Sequence, residues 1–204
     1  MSQSVSKRIC TVFWKRSLTS CLLLLGVLVL WAGTGTAAAT SGKGGDFTLN
    51  APDGPLSLSD LRGKVVLIFF GYTSCPDVCP ISLARINACF SAMNAEELDQ
   101  VQALFITLDP ERDTPELLAK YTSYFHPKII GLSDDAEAIT AVTDQYGIEY
   151  SKNAMPDSPL DYSISHPTGI LLLDAKGQVV EVVPHDAKSK YLLARIRDLL
   201  NGSD

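Results

Sequence analysis

The sequence predicts an α/β domain in which helices flank a central mixed sheet. Three observations carry that expectation. Lys64-Val-Val-Leu-Ile-Phe-Phe70 and Val101 to Leu108 are apolar runs of strand length, the pattern of strands buried on both faces. Stretches with helical spacing and cap signals separate the strand candidates. Near the C-terminus, Thr168 to Leu173 and Gln178 to Val183 flank Asp174-Ala-Lys-Gly177, a hairpin signal that adds antiparallel strands to a parallel core.

Each element has its own reason. Phe47 to Leu49 reads as a short strand, and Asn50-Ala-Pro-Asp-Gly-Pro55 is dense with turn formers. After the Lys64–Phe70 run, Gly71 and Tyr72 leave the sheet and Cys75-Pro76 opens a helix, where a missing proline N–H costs no hydrogen bond. Leu83, Ile86, Phe90 and Met93 recur at spacings of 3, 4 and 3, an apolar stripe. Pro80 is the weak point of this helix unless it too lies in the first turn. Thr114-Pro115-Glu116 combines an N-cap, a first-position proline and an acidic first turn, so a helix runs to about Phe125. Lys128 to Leu132 is a short strand. Asp134 with Glu137 forms a capping-box pattern, Ile139, Val142 and Tyr146 share a face, and Gly147 stops that helix. A last helix places Tyr191, Leu192, Ile196, Leu199 and Leu200 near one side. Right-handed crossovers build a parallel core from this order, with ligands expected at the C-terminal edge of its strands. A thioredoxin-like layer fits; a flavodoxin-like fold is the rival, but it has no need of the terminal hairpin.

Charge and leader bound the setting. Of 17 basic and 23 acidic side chains, four basic ones (Lys7, Arg8, Lys15 and Arg16) precede Ser17, leaving 13 against 23 beyond it. Such a surface has little long-range attraction for nucleic acid, which is not an expected partner. Ser17 to Gly42 carries no charge, and Cys21 to Ala32 is a twelve-residue apolar core. Residues 1–16 therefore read as a basic cytoplasmic N-terminus and 17–39 as a signal peptide or membrane anchor. Ala37-Ala-Ala39 suits cleavage, whereas the uncharged Leu18 to Ala39 is long enough to span with its weaker ends near the headgroups. Residues 40–45, with three glycines, read as a tether, and 46–204 as the folded domain on the far side of the membrane.

The chemistry concentrates at Tyr72-Thr-Ser-Cys75-Pro-Asp-Val-Cys79-Pro80. If Cys75 begins the helix, Cys79 lies one turn along and both sulfurs share a face at a helix N-terminus, which favours thiolates. Two thiolates suit soft ions such as Cu(I), and they also suit thiol redox chemistry; a buried or permanently bridged structural pair is the plain alternative. His166, just before the Thr168 strand, can add a nitrogen donor or serve as an ordinary loop histidine. His126 reads as a helix-end cation, His185 as a polar-turn residue, and Cys89 as a buried free thiol. The acids of Asp109-Pro-Glu-Arg-Asp-Thr-Pro115 can tune the site or meet a partner, though capping and loop solvation account for most of them.

Taken together, Gly71-Tyr-Thr-Ser-Cys75-Pro-Asp-Val-Cys79-Pro80, then Asp109-Pro-Glu-Arg-Asp-Thr-Pro115, then His166 before a strand and Asp174 after it resemble the SCO/SenC family of thioredoxin-like copper proteins. The resemblance covers about Phe47 to Leu200. It implies a membrane-tethered domain, on the periplasmic side of the bacterial inner membrane, that helps assemble the dinuclear copper centre of cytochrome c oxidase. One copper ion, Cu(I) or Cu(II), is expected per domain on Cys75, Cys79 and His166, with the oxidase copper subunit and periplasmic copper donors as partners. The family often has an aspartate before that histidine; here Ser165 stands there. The expected role is a metallochaperone without turnover. The competing role is a thiol–disulfide reductase using Cys75 and Cys79 on a partner's copper-binding cysteines. A peroxide-reducing enzyme and a pure interaction domain rank below both.

Overall fold

The structure, a computed structural model, describes residues 44–202, so the readings of 1–16 and 17–39, and of most of the tether, lie outside the described residues. Among the described residues, no helix is long and apolar enough to cross a membrane. The first elements among the described residues are a hairpin of β1 (Thr48–Ala51) and β2 (Gly54–Ser57). The turn-rich stretch is therefore partly strand: Asn50 pairs with Pro55, and Gly54 turns the chain at φ 124°. Pro55 fits because β2 pairs with β1 alone, which leaves its outer edge without a ladder partner.

The parallel core is β3 (Val65–Gly71), β4 (Val101–Thr107) and β5 (Ile129–Leu132). Every residue of β3 and β4 is buried, which is why both read as unbroken apolar runs. A separate hairpin, β6 (Ser151–Ala154) with β7 (Tyr162–Ser165), was not expected, because β6 is exposed along its whole length and has no apolar alternation. The terminal hairpin, β8 (Ile170–Leu173) and β9 (Val179–Val183), joins antiparallel to β3, giving the order β5-β4-β3-β8-β9. This is the expected mixed sheet.

Among the described residues five α-helices complete the domain: α1 (Val78–Phe90), α2 (Ala95–Asp99), α3 (Pro115–Phe125), α4 (Ala136–Tyr146) and α5 (Ser189–Leu200). Alternate residues of β3 serve two cores. Val66, Ile68 and Phe70 pack with Ile139, Val142 and Tyr146 of α4 and with Leu49 and Leu58. Val65, Leu67 and Phe69 pack with Leu83, Ile86 and Phe90 of α1, Leu118 of α3, and Leu192 and Ile196 of α5. Each such fully buried side chain contributes about 1.5–3 kcal/mol, so the two-sided sheet is the main source of stability.

Two helix starts differ from expectation. α1 begins at Val78 with Asp77 as N-cap, not at Cys75, so the pair is not an i,i+4 pair on one helix. Pro80 is the third residue of α1, where its missing N–H breaks no intrahelical bond. In α4 the cap is Asp135, which accepts the Ala138 N–H at 2.8 Å; Asp134 instead accepts the Asp135 N–H and the Asn50 side-chain amide. α3 starts as read, with Thr114 accepting the Leu117 N–H, and Gly147 ends α4 at φ 66°. Met93 lies beyond α1 and Tyr191 is exposed, so neither belongs to the central stripe of its helix.

Candidate metal centre

The cysteines sit where β3 hands over to α1, at the C-terminal edge of the parallel strands. Cys75 lies in the connecting turn, its N–H reaching the Tyr72 carbonyl at 3.3 Å, and is half-buried; Cys79, the second residue of α1, is fully buried. Both are free thiols. Their protons are shared unequally. The Cys79 thiol beside it lowers the Cys75 pKa to about 3, against the opposing effect of burial, and the His166 ring and the backbone N–H groups of Asp77 and Cys79 help. Cys79, next to that anion and buried, is pushed up and keeps its proton. The pair thus presents one thiolate and one thiol, with donors of the first helical turn holding the charge.

Gly71 makes room for this arrangement. A Cβ there would lie 2.8 Å from Cys79 Sγ and 2.8 Å from the Phe105 ring, so only a glycine lets the sulfur reach the strand end.

His166 follows β7 directly. Its Nε2 lies 3.8 Å from Cys79 Sγ, and its Nδ1 lies 2.8 Å from the Pro167 carbonyl. A carbonyl only accepts, so Nδ1 carries the hydrogen and Nε2 is the nitrogen left to face the sulfurs. The rings of Tyr72 and Phe69 meet the imidazole edge-on at 6.1 and 6.3 Å and hold its plane. Two sulfurs and an outward imidazole nitrogen are a donor set suited to copper. Among the described residues no three His, Cys, Asp or Glu side chains form a finished cage.

The segment after β4 holds both halves of this site. Asp113 accepts the Thr73 N–H at 3.0 Å, the Thr73 hydroxyl, and the Thr107 hydroxyl at 2.6 Å, fixing the cysteine turn. Asp109 takes the Arg112 Nε and, at 2.6 Å, the Tyr162 hydroxyl from β7. These two carboxylates were expected to be largely capping or solvated groups; both are buried, because hydroxyl, amide and guanidinium donors from three elements converge on them. Arg112 and Tyr162 were not singled out from the sequence, since nothing local marks a contact across 50 residues.

The remaining residues have structural roles. His126 is not a helix-end cation: burial and Lys128 lower its pKa, and its Nδ1 accepts the Lys128 N–H at 3.0 Å. His185 pairs with the Thr168 hydroxyl. Cys89 is a buried free thiol, donating to the Ser189 carbonyl at 3.2 Å, and burial pushes it up to about 11.

Comparison with known proteins shows the family to which the chain belongs. A family model described as SCO1/SenC matches residues 35–201. A SCO2-like protein of Rickettsia felis is 38% identical over 151 residues, covering 74% of this chain and 73% of the relative. The mitochondrial SCO2 homolog of Bos taurus is 42% identical over 155 residues, covering 75% of this chain and 58% of its own length. Among solved structures, copper-bound ScoI of Bradyrhizobium japonicum superposes with a TM-score of 0.70 at 38% identity, covering 76% of this chain and 98% of that one. Copper-bound yeast Sco1 gives 0.70 at 31% identity, covering 78% and 89%.

Proposed function

Since the chain belongs to the SCO1/SenC family, we propose that it is a copper chaperone for assembly of the dinuclear copper centre of cytochrome c oxidase, carrying one ion on Cys75, Cys79 and His166. The observation that carries this reading is the pinned imidazole: Nδ1 is committed to the Pro167 carbonyl, so Nε2 points at the cysteine pair. Copper is the cargo. Cys75 meets it as a thiolate already formed, and Cys79 releases its proton to water as its sulfur becomes a ligand. Cu(I) is satisfied by the two soft sulfurs, whereas Cu(II) needs the nitrogen as well. The thiol–disulfide reductase reading is weaker, because it gives the imidazole of His166, set against the Cys79 sulfur, no task.

The test measures copper stoichiometry, affinity and X-ray absorption for the protein and its Cys75→Ser, Cys79→Ser and His166→Ala variants. Either serine abolishes tight Cu(I) binding; His166→Ala spares Cu(I), weakens Cu(II) and loses the nitrogen scatterer. Retention of that scatterer and of Cu(II) affinity in His166→Ala removes the ligand assignment. The reading extends to place: the basic residues before Ser17 and the uncharged stretch after it support a domain held at, or released from, the periplasmic face of a bacterial inner membrane, facing the oxidase copper subunit and periplasmic copper donors. Reporter fusions after Gly45 that work only in the cytoplasm contradict it.

A further inference from the structure

We propose that Arg112 is a positioning residue: through Asp109 and Tyr162 it seats the β6–β7 hairpin so that His166 Nε2 faces the cysteine pair. The purpose of this device rests on the copper reading above; its substance rests on contacts in the metal-free protein. The hairpin pairs only with itself, and β6 exposes all four residues, so no ladder to the central sheet holds it. Ile164 is its one fully buried side chain.

Two carbonyls of the hairpin and the Tyr162 ring converge on one guanidinium, and the more exposed Lys152–Glu111 ion pair at 2.7 Å adds a second tie from β6 to the same segment. Arg112 Nη1 donates to the Leu160 and Tyr162 carbonyls at 2.8 and 3.3 Å, Nε donates to Asp109, and the guanidinium carbon lies 3.8 Å from the Tyr162 ring centroid. The Tyr162 hydroxyl closes the loop on the other oxygen of Asp109. Asp109 is anchored in turn, its backbone N–H bonded to the Thr107 hydroxyl at the end of β4. Four residues on, Asp113 grips Thr73 of the cysteine turn. One tight turn, closed by the Asp113 N–H on the Asp109 carbonyl at 2.9 Å, therefore holds the sulfur-bearing loop with one end and the imidazole-bearing hairpin with the other. Lysine cannot replace Arg112, because a point charge lacks both the planar fork and the stacking face.

The test uses the full chain with Arg112→Lys and Tyr162→Phe, and Arg197→Gln as a control that breaks the remote pair with Glu97. In the reduced, metal-free protein, amide exchange of residues 151–165 is expected to accelerate about tenfold in Arg112→Lys and less in Tyr162→Phe, with α1 unchanged. Arg197→Gln leaves 151–165 no faster than the rest. On copper loading, Arg112→Lys weakens Cu(II) about tenfold and loses nitrogen scattering, while Cu(I), held by the sulfurs, changes by less than about threefold. Exchange of 151–165 that is unchanged in Arg112→Lys, or that rises uniformly over the domain, overturns the proposal. The two readings fail separately. If His166→Ala keeps its nitrogen scatterer, the ligand assignment falls while the exchange result still decides the seating role. If His166→Ala loses the scatterer and Arg112→Lys exchanges like the parent, the seating role alone falls.

Discussion

Substituting Gly71 with alanine tests how tightly the Cys79 sulfur is placed. Gly71 has no positive φ, so alanine meets no backbone strain and only the space around its Cβ matters. That Cβ lies 2.8 Å from Cys79 Sγ and 2.8 Å from Phe105 Cε2, where ordinary contact starts at 3.4 Å, so each neighbour must retreat by about 0.6 Å. Both are fully buried, where close packing leaves little room to retreat. Overpacking of this kind costs about 1–3 kcal/mol, and the stiffer unfolded chain of a Gly→Ala change returns about 0.4–1 kcal/mol. The expected net loss is about 1–2 kcal/mol, read as a lower urea midpoint at unchanged m-value in the reduced, metal-free protein. Displacement of the sulfur should also weaken Cu(I) about tenfold in a competition titration, equivalent to about 1.4 kcal/mol. Gly131→Ala is the matched control: its Cβ would lie 2.8 Å from Leu118 Cβ, away from either cysteine. It should lose similar stability and keep full copper affinity. A Gly71→Ala protein with an unchanged midpoint refutes the packing argument, and one that is destabilised with parental Cu(I) affinity refutes the claim that this contact sets the sulfur.

Three further outcomes are expected. Asp113→Asn, which trades an acceptor oxygen for an NH₂ facing the Thr73 and Thr107 donors, should lower stability by about 2–3 kcal/mol and speed exchange of the Thr73–Cys75 turn; a loss under about 0.5 kcal/mol means the three bonds are not carried by the carboxylate. Mild oxidation should give one intramolecular disulfide between Cys75 and Cys79 with Cys89 still reduced, as mass spectrometry of the digested protein will show; a dominant bridge through Cys89 contradicts the burial described. Cys89, raised from 9.0 to about 11, favours the native state fully below about pH 9, and this contribution is lost as pH rises through 11 because the unfolded thiol ionises first. The urea midpoint should therefore fall less between pH 8 and about pH 10.5 in Cys89→Ala than in the parent, and equal falls remove the assignment.

The central sheet was legible because β3 and β4 are covered on both faces, which leaves an uninterrupted apolar record in the chain. α3 was legible at its start because Thr114 and Pro115 are local signals. The β6–β7 hairpin left no such record: Ser-Lys-Asn-Ala is held by what Tyr162 and Ile164 touch, not by its own pattern. The start of α1 was misplaced because Pro76 and Pro80 both suit a first turn, and only the backbone at Asp77 decides between them. Cys75, Cys79 and His166 were chosen from the sequence, and the fold brings Cys79 and His166 within 3.8 Å. The burial of Asp109 and Asp113 was hidden because a carboxylate in a charged loop reads as solvated until its distant donors are known.

Cys79 and His166 are separated by 87 residues, and the chain between them includes β4, β5 and three helices. A contact of that range carries the entropy of closing a long loop, which the pairing of β8 with β3 helps to offset. As the polypeptide is made from its N-terminus, the two thiols therefore emerge well before the imidazole exists in the chain. A nascent molecule offers a two-sulfur trap with no nitrogen, exposed to oxidants and to any soft ion nearby. On the ligand set proposed above, selectivity for the oxidation state that needs a nitrogen arrives only when the β6–β7 hairpin docks, so metal choice becomes a property of completed folding.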